Sequence, residues 1–273
     1  MLPPVRPMRD RDFIREYARQ APLALALERA LECRLLADYP LERPVLDIGC
    51  GDGRFAEILY GATEPIDYGL DADPAEIARA TRRGVYATLL TASATAIPLP
   101  DASVATVVSN STLEHIRPLR EVLAEVARVL RPGGTLLITV PTDRFDRYSV
   151  LFRLLRGLGL RGLAERFRIF YDRFWRHYHF YRPAEWRAVL EDVGLCVEEV
   201  AEYDSALRCA VHDALVPFAL PAFIAKKLFD RYVLFPRLRS LAIGMLRPVL
   251  PRDRTDRLAS GRGGLVFLRA VKP

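Results

Sequence analysis

The sequence predicts a doubly wound α/β architecture, and three observations carry that prediction. First, short β-branched and apolar runs alternate with amphipathic helical stretches between residues 45 and 140, the order that builds a parallel sheet with helices on both faces. Second, the run Val104 to Val108 has no charged position, as expected of a strand buried on both faces. Third, the strand Val45 to Ile48 leads directly into glycines at alternate positions, Gly49, Gly51 and Gly53, and then into a helix opening at Arg54. Backbone can approach a ligand closely at such a turn.

The elements follow in chain order. Residues 11 to 38 have helical period, with Phe13, Ile14, Tyr17, Leu23, Leu27, Leu31 and Leu35 on one stripe. Pro22 divides the stretch into two helices. After the glycine turn and the helix from Arg54 to Tyr60, Ile66 to Leu70 reads as a second strand ending at Asp71. Asp73 and Pro74 then start a helix as N-cap and first turn. Val85 to Thr91 is a third strand, Pro98 to Asp101 a turn, and Val104 to Val108 the fourth strand, running out into Ser109-Asn110. Pro118 to Leu130 is an amphipathic helix with Leu119, Val122, Leu123, Val126 and Val129 on one face, and Arg131-Pro132-Gly133-Gly134 is expected to stop it. Thr135 to Val140 is the fifth strand.

Composition bounds the function classes. The chain has 273 residues, 51% of them apolar, enough for one large domain or one domain with insertions. Its four cysteines, Cys33, Cys50, Cys196 and Cys209, lack metal-ligand spacing, so no metal site is expected and the thiols read as reduced, in a cytoplasmic protein. No signal-like apolar segment follows Met1, and no uninterrupted apolar run reaches about 18 residues. The net charge of +6 is unevenly placed. Residues 144–182 hold 10 basic and 3 acidic groups, residues 206–258 hold 10 and 4, and the rest of the chain is acidic.

In a doubly wound sheet, ligands sit beyond the carboxyl ends of the strands. Those ends present Gly49, Asp71, Ser93, Asn110 and Pro141, which should converge on one crevice. The N–H groups of the glycine turn and the helix N-terminus favour anionic or polar ligand groups, and a nucleotide-like cofactor is the natural occupant. Asp71 is placed to accept hydrogen bonds from ribose hydroxyls. The spacing excludes a dinucleotide G-x-G-x-x-G turn, since the third glycine comes one residue early, and a P-loop, since no lysine follows.

Asp47-x-Gly49-x-Gly51-x-Gly53, Asp71, Ile97-Pro98, Asp101, Ser109-Asn110, Leu113-Glu114-His115-Ile116 and Glu125 to Gly134 together resemble, in order, the motifs of the type 11 S-adenosylmethionine (SAM) methyltransferases of class I. The resemblance resumes at Arg182-Pro183-Ala184-Glu185-Trp186 and at Gly263 to Val271. It implies a Rossmann-like, seven-stranded, mostly parallel sheet whose last strand is antiparallel. It also implies SAM as cofactor, with S-adenosylhomocysteine as product. Cofactor contacts are expected from Asp47, Gly49, Cys50, Gly51, Gly53, Asp71, Ala72, Ser93, Ala94, Ser109, Asn110 and, from the N-terminal helices, Tyr17. The chain departs from the family at Ser93, where an acid often stands, and at Val104-Ala105, where Phe-Asp is usual.

The domain organisation expected is an N-terminal helical lid, residues 1–40, and a SAM-binding domain, 41–273, in which insertions 142–182 and 204–262 form a helical cap around the acceptor. Arg153, Arg156, Arg161, Arg166 and Arg168 punctuate Leu151, Leu154, Leu155, Leu158, Leu163, Phe167 and Phe170. Three readings of such segments stand: a folded cap, contact with anionic membrane through 144–182 and 206–258, and nucleic-acid binding. The aliphatics interleaved with the arginines, and the lack of any RNA-binding motif, disfavour the last. His177, His179 and His115 are the candidate general bases. The expected function is methyl transfer to a small or amphipathic acceptor, lipid-like or natural-product in character. The alternative is a non-catalytic module of the same fold that binds a membrane or a partner. The sequence sets no oligomeric state.

Overall fold

A computed structural model describes residues 3–229, 231–235, 239, 243, 257–258 and 261–273. Leu246, Val249 and Leu250, apolar residues of the second insertion, lie outside the described residues. The strands are β1 (Val45–Ile48), β2 (Ile66–Asp71), β3 (Tyr86–Thr91), β4 (Val104–Asn110), β5 (Leu130–Pro141), β6 (Cys196–Ser205) and β7 (Gly263–Val271). They form one sheet in the order β3-β2-β1-β4-β5-β7-β6. Strands β1 to β5 pair in parallel, and β7 runs antiparallel to both β5 and β6. The strand order reverses between β1 and β4, so the crevice opens there.

Nine helices flank the sheet among the described residues: α1 (Phe13–Gln20), α2 (Leu23–Leu36), α3 (Arg54–Tyr60), α4 (Pro74–Arg83), α5 (Leu119–Val129), α6 (Val150–Gly157), α7 (Arg161–Trp175), α8 (Pro183–Glu191) and α9 (Ala206–Phe229). Side chains alternate across β1: Val45 joins the core beneath α1, α2 and α3, while Leu46 and Ile48 join the core beneath α5 and α8. Pro22 is the N-cap of α2, and Asp73 caps α4 by accepting the Ala75 N–H at 2.8 Å.

One expected boundary is displaced. Arg131-Pro132-Gly133-Gly134 does end α5, yet it is not a free turn, because β5 already begins at Leu130. The segment is a bulge: β4 pairing shifts between Val104/Leu130 and Thr106/Thr135. Gly133, at φ +75°, donates its N–H to the Lys272 carbonyl at 2.8 Å, which ties the bulge to the end of β7.

The first insertion forms two helices, α6 and α7, broken at Leu158–Leu160 around Gly159 at φ +78°. In the second, α9 is long and apolar enough to cross a membrane by length and composition alone. Here it lies against the body through Cys209, His212, Ala219 and Ala225.

Candidate functional site

The glycine turn has all three glycines in the left-handed region, at φ +74°, +51° and +75°. Its amides differ from expectation. Gly49 and Cys50 both donate to the Leu70 carbonyl, at 2.8 and 3.1 Å, and Gly53 donates to the Cys50 carbonyl at 3.0 Å. Gly51 donates to Asp71 Oδ2 at 2.9 Å. These four N–H groups are already paired within the protein, so the turn is not an anion cradle. Its use is close approach. A Cβ on Gly49 would meet the Thr112 side chain at 2.2 Å, whereas one on Gly51 would meet nothing within 4 Å. The space above Gly51 is open to a ligand.

Asp71 stands at the lip of that space. Its Oδ1 accepts the Asp73 N–H at 2.9 Å while Oδ2 holds Gly51. The carboxylate is thereby locked in one orientation, and each oxygen keeps a lone pair for further donors. A nucleoside diol fits this arrangement: two hydroxyl donors, one fixed carboxylate, open backbone beside it. Ala72 is exposed next to it.

The other expected contacts divide. Asp47 lies beneath the turn, accepting the Tyr86 hydroxyl at 2.6 Å. Burial pushes its pKa up to about 6 against the lowering effect of that hydroxyl. It acts as a strut from β1 to β3. Ser109 is buried and donates to the Ile48 carbonyl at 3.1 Å, joining β4 to β1. Cys50 is buried with its thiol pushed up by desolvation, and Tyr17 is buried with its hydroxyl pushed up for the same reason. Ser93 is exposed, its Oγ 2.8 Å from Thr95 Oγ1, with Ala94 buried behind it. Asn110 donates to Glu32 Oε2 at 2.8 Å and accepts from Thr139 Oγ1 at 2.8 Å.

That last contact reveals a cluster outside the sequence expectation. Glu32 of α2 is wholly buried, and also accepts from Ser111 Oγ at 2.7 Å and Arg29 at 2.6 Å. Glu28 and Arg29 line a cavity of about 250 Å³ beyond the carboxyl ends of β4 and β5. Ser111, Glu114, Pro141 and His177 line it too, and α7 and α9 close it through Tyr171 and His212. The signal for this cluster is present in the sequence as charges, Glu28-Arg29, Glu32 and Arg34, in a helix whose other residues are apolar; buried charges need partners.

Three of the four histidines were candidates, and the fold separates them. His115 and His177 pack with ring centroids 4.8 Å apart and planes tilted by 42° on the cavity wall. His179 is turned away, 2.9 Å from the Ile116 carbonyl through Nε2 and 3.2 Å from the Tyr181 hydroxyl through Nδ1. Both its nitrogens are engaged in anchoring the loop. Arg176, at φ +56°, reverses the chain after α7 and presents His177 to the cavity. Burial lowers His177 to about 3, so the ring is neutral at pH 7. Burial also lowers His115.

Glu114, on the short 3₁₀ turn Leu113–His115 after β4, is 3% exposed. Its Oε2 is buried without a partner, and desolvation raises its pKa to about 8. Together, Glu114, His115 and His177 place three potential metal-ligand atoms within 4.8 Å of one another. Sequence spacing conceals this set, because α6 and α7 intervene between its members.

These burials carry a pH signature. A carboxyl whose folded pKa is raised binds its proton more tightly folded than unfolded, so stability falls as pH rises from the unfolded to the folded value. Glu114 at about 8 and Asp172 at about 7 both act this way. Histidines with lowered values act only below their unfolded pKa of about 6.5. Thermal melting should therefore shift downward between pH 6.5 and pH 8, and Glu114→Gln should flatten that slope. A slope unchanged in the variant would refute the assignment of Glu114.

Residues 46–138 match the family model described as a methyltransferase domain, type 11. Over 99 residues the chain is 36% identical to a probable S-adenosylmethionine-dependent methyltransferase of Mycolicibacterium smegmatis, covering 36% of this chain and 38% of that protein. It is 36% identical over 132 residues to malonyl-[acyl-carrier protein] O-methyltransferase of Alcanivorax borkumensis, covering 46% and 44%. The chain thus spans less than half the length of these curated relatives. Among solved structures, a SAM-dependent methyltransferase of Thermotoga maritima superposes with a TM-score of 0.53 at 20% identity, over 95% of this chain and 91% of that one. At that identity the likeness concerns the fold. The ordered motifs, the seven-stranded sheet and the family match agree with one another, and residues 46–138 are similar to the methyltransferase domain of type 11.

Proposed function

We propose that the chain transfers the methyl group of SAM to a small or amphipathic acceptor held in the cavity beside the crevice. The observation that supports this most is position: the cavity wall includes Ser111, immediately after Asn110, and Pro141 at the end of β5. It therefore adjoins the carboxyl ends where Gly51 and Asp71 leave room for a nucleoside. SAM, when bound, supplies a methyl group already activated by the sulfonium. The protein's part is positioning and exclusion of water. Asp71 orients the ribose, and residues 1–40 act as the lid, α2 fastening to β4 through Glu32 and Asn110. Pro22, Leu25, Phe145 and Val216 give the cavity apolar wall. Glu114, which keeps its proton at pH 7, and the neutral His177 stand on the cavity wall to hydrogen-bond and orient an acceptor hydroxyl or amine.

A surface feature supports an amphipathic acceptor. Leu154, Leu158, Leu163, Phe170 and Phe174 of the first insertion and Phe218 of α9 are each about half exposed or more. Arginines stand among them, the pattern of a face that meets an anionic bilayer, where the apolar side chains enter and the cations pair with headgroups. Since α7 and α9 also wall the cavity, such contact would place its mouth at the lipid surface.

One experiment addresses both parts. The protein is mixed with labelled SAM and vesicles containing anionic phospholipid and an extract of amphipathic small molecules, then floated and assayed. Flotation at low salt and methyl label in the extract are expected. Label without flotation removes the membrane contact. SAM binding without label in any fraction favours a non-catalytic module.

A further inference from the structure

We propose that Glu114, His115 and His177 form a binding site for one divalent cation of the zinc or manganese class, whose open coordination position holds an oxygen of the acceptor. This deepens the methyl-transfer reading and rests on it for the acceptor, though not for the cation.

The argument begins with what each side chain already does. His115 Nδ1 lies 3.2 Å from the Arg176 carbonyl. That contact selects the tautomer with hydrogen on Nδ1, leaving Nε2 with its lone pair outward, 3.9 Å from Glu114 Oε1. A ligand histidine whose other nitrogen is tied to a carbonyl is the usual arrangement around bound metals. His177 Nδ1 is buried without a partner, as is Glu114 Oε2. These unpaired atoms converge on one wall of the same cavity.

The scaffold is braced for that purpose. The Tyr178 N–H donates to the Glu114 carbonyl at 2.8 Å, and the His177 N–H to the Asp172 carbonyl at 3.0 Å. With the His115–Arg176 contact, these bonds lock the loop after α7 onto the turn after β4. A tetrahedral cation at about 2.1 Å from each donor needs donors about 3.4 Å apart. The present separations are all within 4.8 Å, so a bound cation would have to draw the donors together by about an ångström.

Charge agrees with geometry. The Arg29 guanidinium is already bonded to Glu32 at 2.6 Å, so its charge is matched by that carboxylate. His212 and Asp213 line the cavity from α9 without adding a fixed cation. Two neutral imidazoles and one carboxylate suit zinc, manganese, iron or cobalt, and not magnesium or calcium, which take oxygen donors.

Cobalt(II) titration of the full chain tests this, with zinc titration calorimetry beside it. The expected result is a visible absorption band of a four- or five-coordinate centre and a single zinc site. His115→Ala, at an exposed position, and His177→Ala are each expected to weaken zinc at least tenfold, and Glu114→Gln to do likewise. No cobalt band, or zinc affinity unchanged in His115→Ala, overturns the proposal; the latter marks adventitious binding, for instance at exposed Cys196. S-adenosylhomocysteine affinity measured on the same samples separates the two readings: intact cofactor binding without a metal site sinks only this one.

Discussion

Replacing Asp71 with alanine is expected to weaken SAM and S-adenosylhomocysteine binding about a hundredfold while leaving the protein folded. Two effects add. Hydrogen bonds to a charged acceptor contribute roughly 1.5–3 kcal/mol each, and about 1.4 kcal/mol is a factor of ten. The carboxylate also holds the turn itself, through the N–H groups of Gly51 and Asp73. Without it, the space above Gly51 loses its fixed shape. Asp71→Asn separates the two contributions, since the amide oxygen can still accept one of those bonds but carries no charge. Titration calorimetry on both variants, with melting in the absence of ligand as control, provides the check. Unchanged affinity in Asp71→Ala would remove Asp71 from the cofactor site.

Trp186→Ala is expected to destabilise the fold by about 3–5 kcal/mol, the range for large aromatic side chains deleted from cores. Trp186 is wholly buried beneath β5 and β7 on the α5/α8 face. Its Nε1 donates to the Pro141 carbonyl at 3.0 Å, and its ring meets Tyr181 edge-on at 5.1 Å between centroids. For a chain of this size, such a loss lowers the melting temperature by roughly 10 °C. Trp186→Phe keeps most of the packing and loses the hydrogen bond, so about 1–2 kcal/mol is expected. Because Pro141 lines the cavity proposed to hold the acceptor, the phenylalanine variant should also raise the acceptor KM with little effect on SAM affinity. Denaturant unfolding and steady-state kinetics measure the two effects.

The centre of the sheet was legible because β1 and β4 are buried on both faces. Val104 to Val108 announces itself by composition alone. The glycine turn and the acid ending the next strand were legible because both are local features. The misjudged amides of that turn show the limit. Glycine spacing predicts left-handed backbone, and does not predict that the Leu70 carbonyl takes two of the N–H groups. The cavity was not legible, because α2, the turn after β4, the loop after α7 and α9 each supply part of it. Nor could spacing separate His177 from His179. The two are neighbours in sequence, but the reversal at Arg176 and the grip of Ile116 and Tyr181 send them to different surroundings.

The position of the second insertion has an evolutionary consequence. Ser205 pairs with Gly263 across the β6/β7 ladder, so the chain leaves and re-enters the sheet at adjacent rungs. Glu202 clamps the return by accepting the N–H groups of Gly261, Arg262 and Gly263 at 2.7, 3.0 and 2.8 Å, with Arg144 at 2.8 Å as counter-ion. In topological terms, everything between is an overgrown hairpin loop. Doubling the length of such a loop costs only about 0.6 kcal/mol of closure entropy. The segment can thus lengthen, shrink or be swapped between homologues without re-registering any strand. Chimaeras joined at residues 205 and 263 are the natural units for exchanging whatever this region recognises.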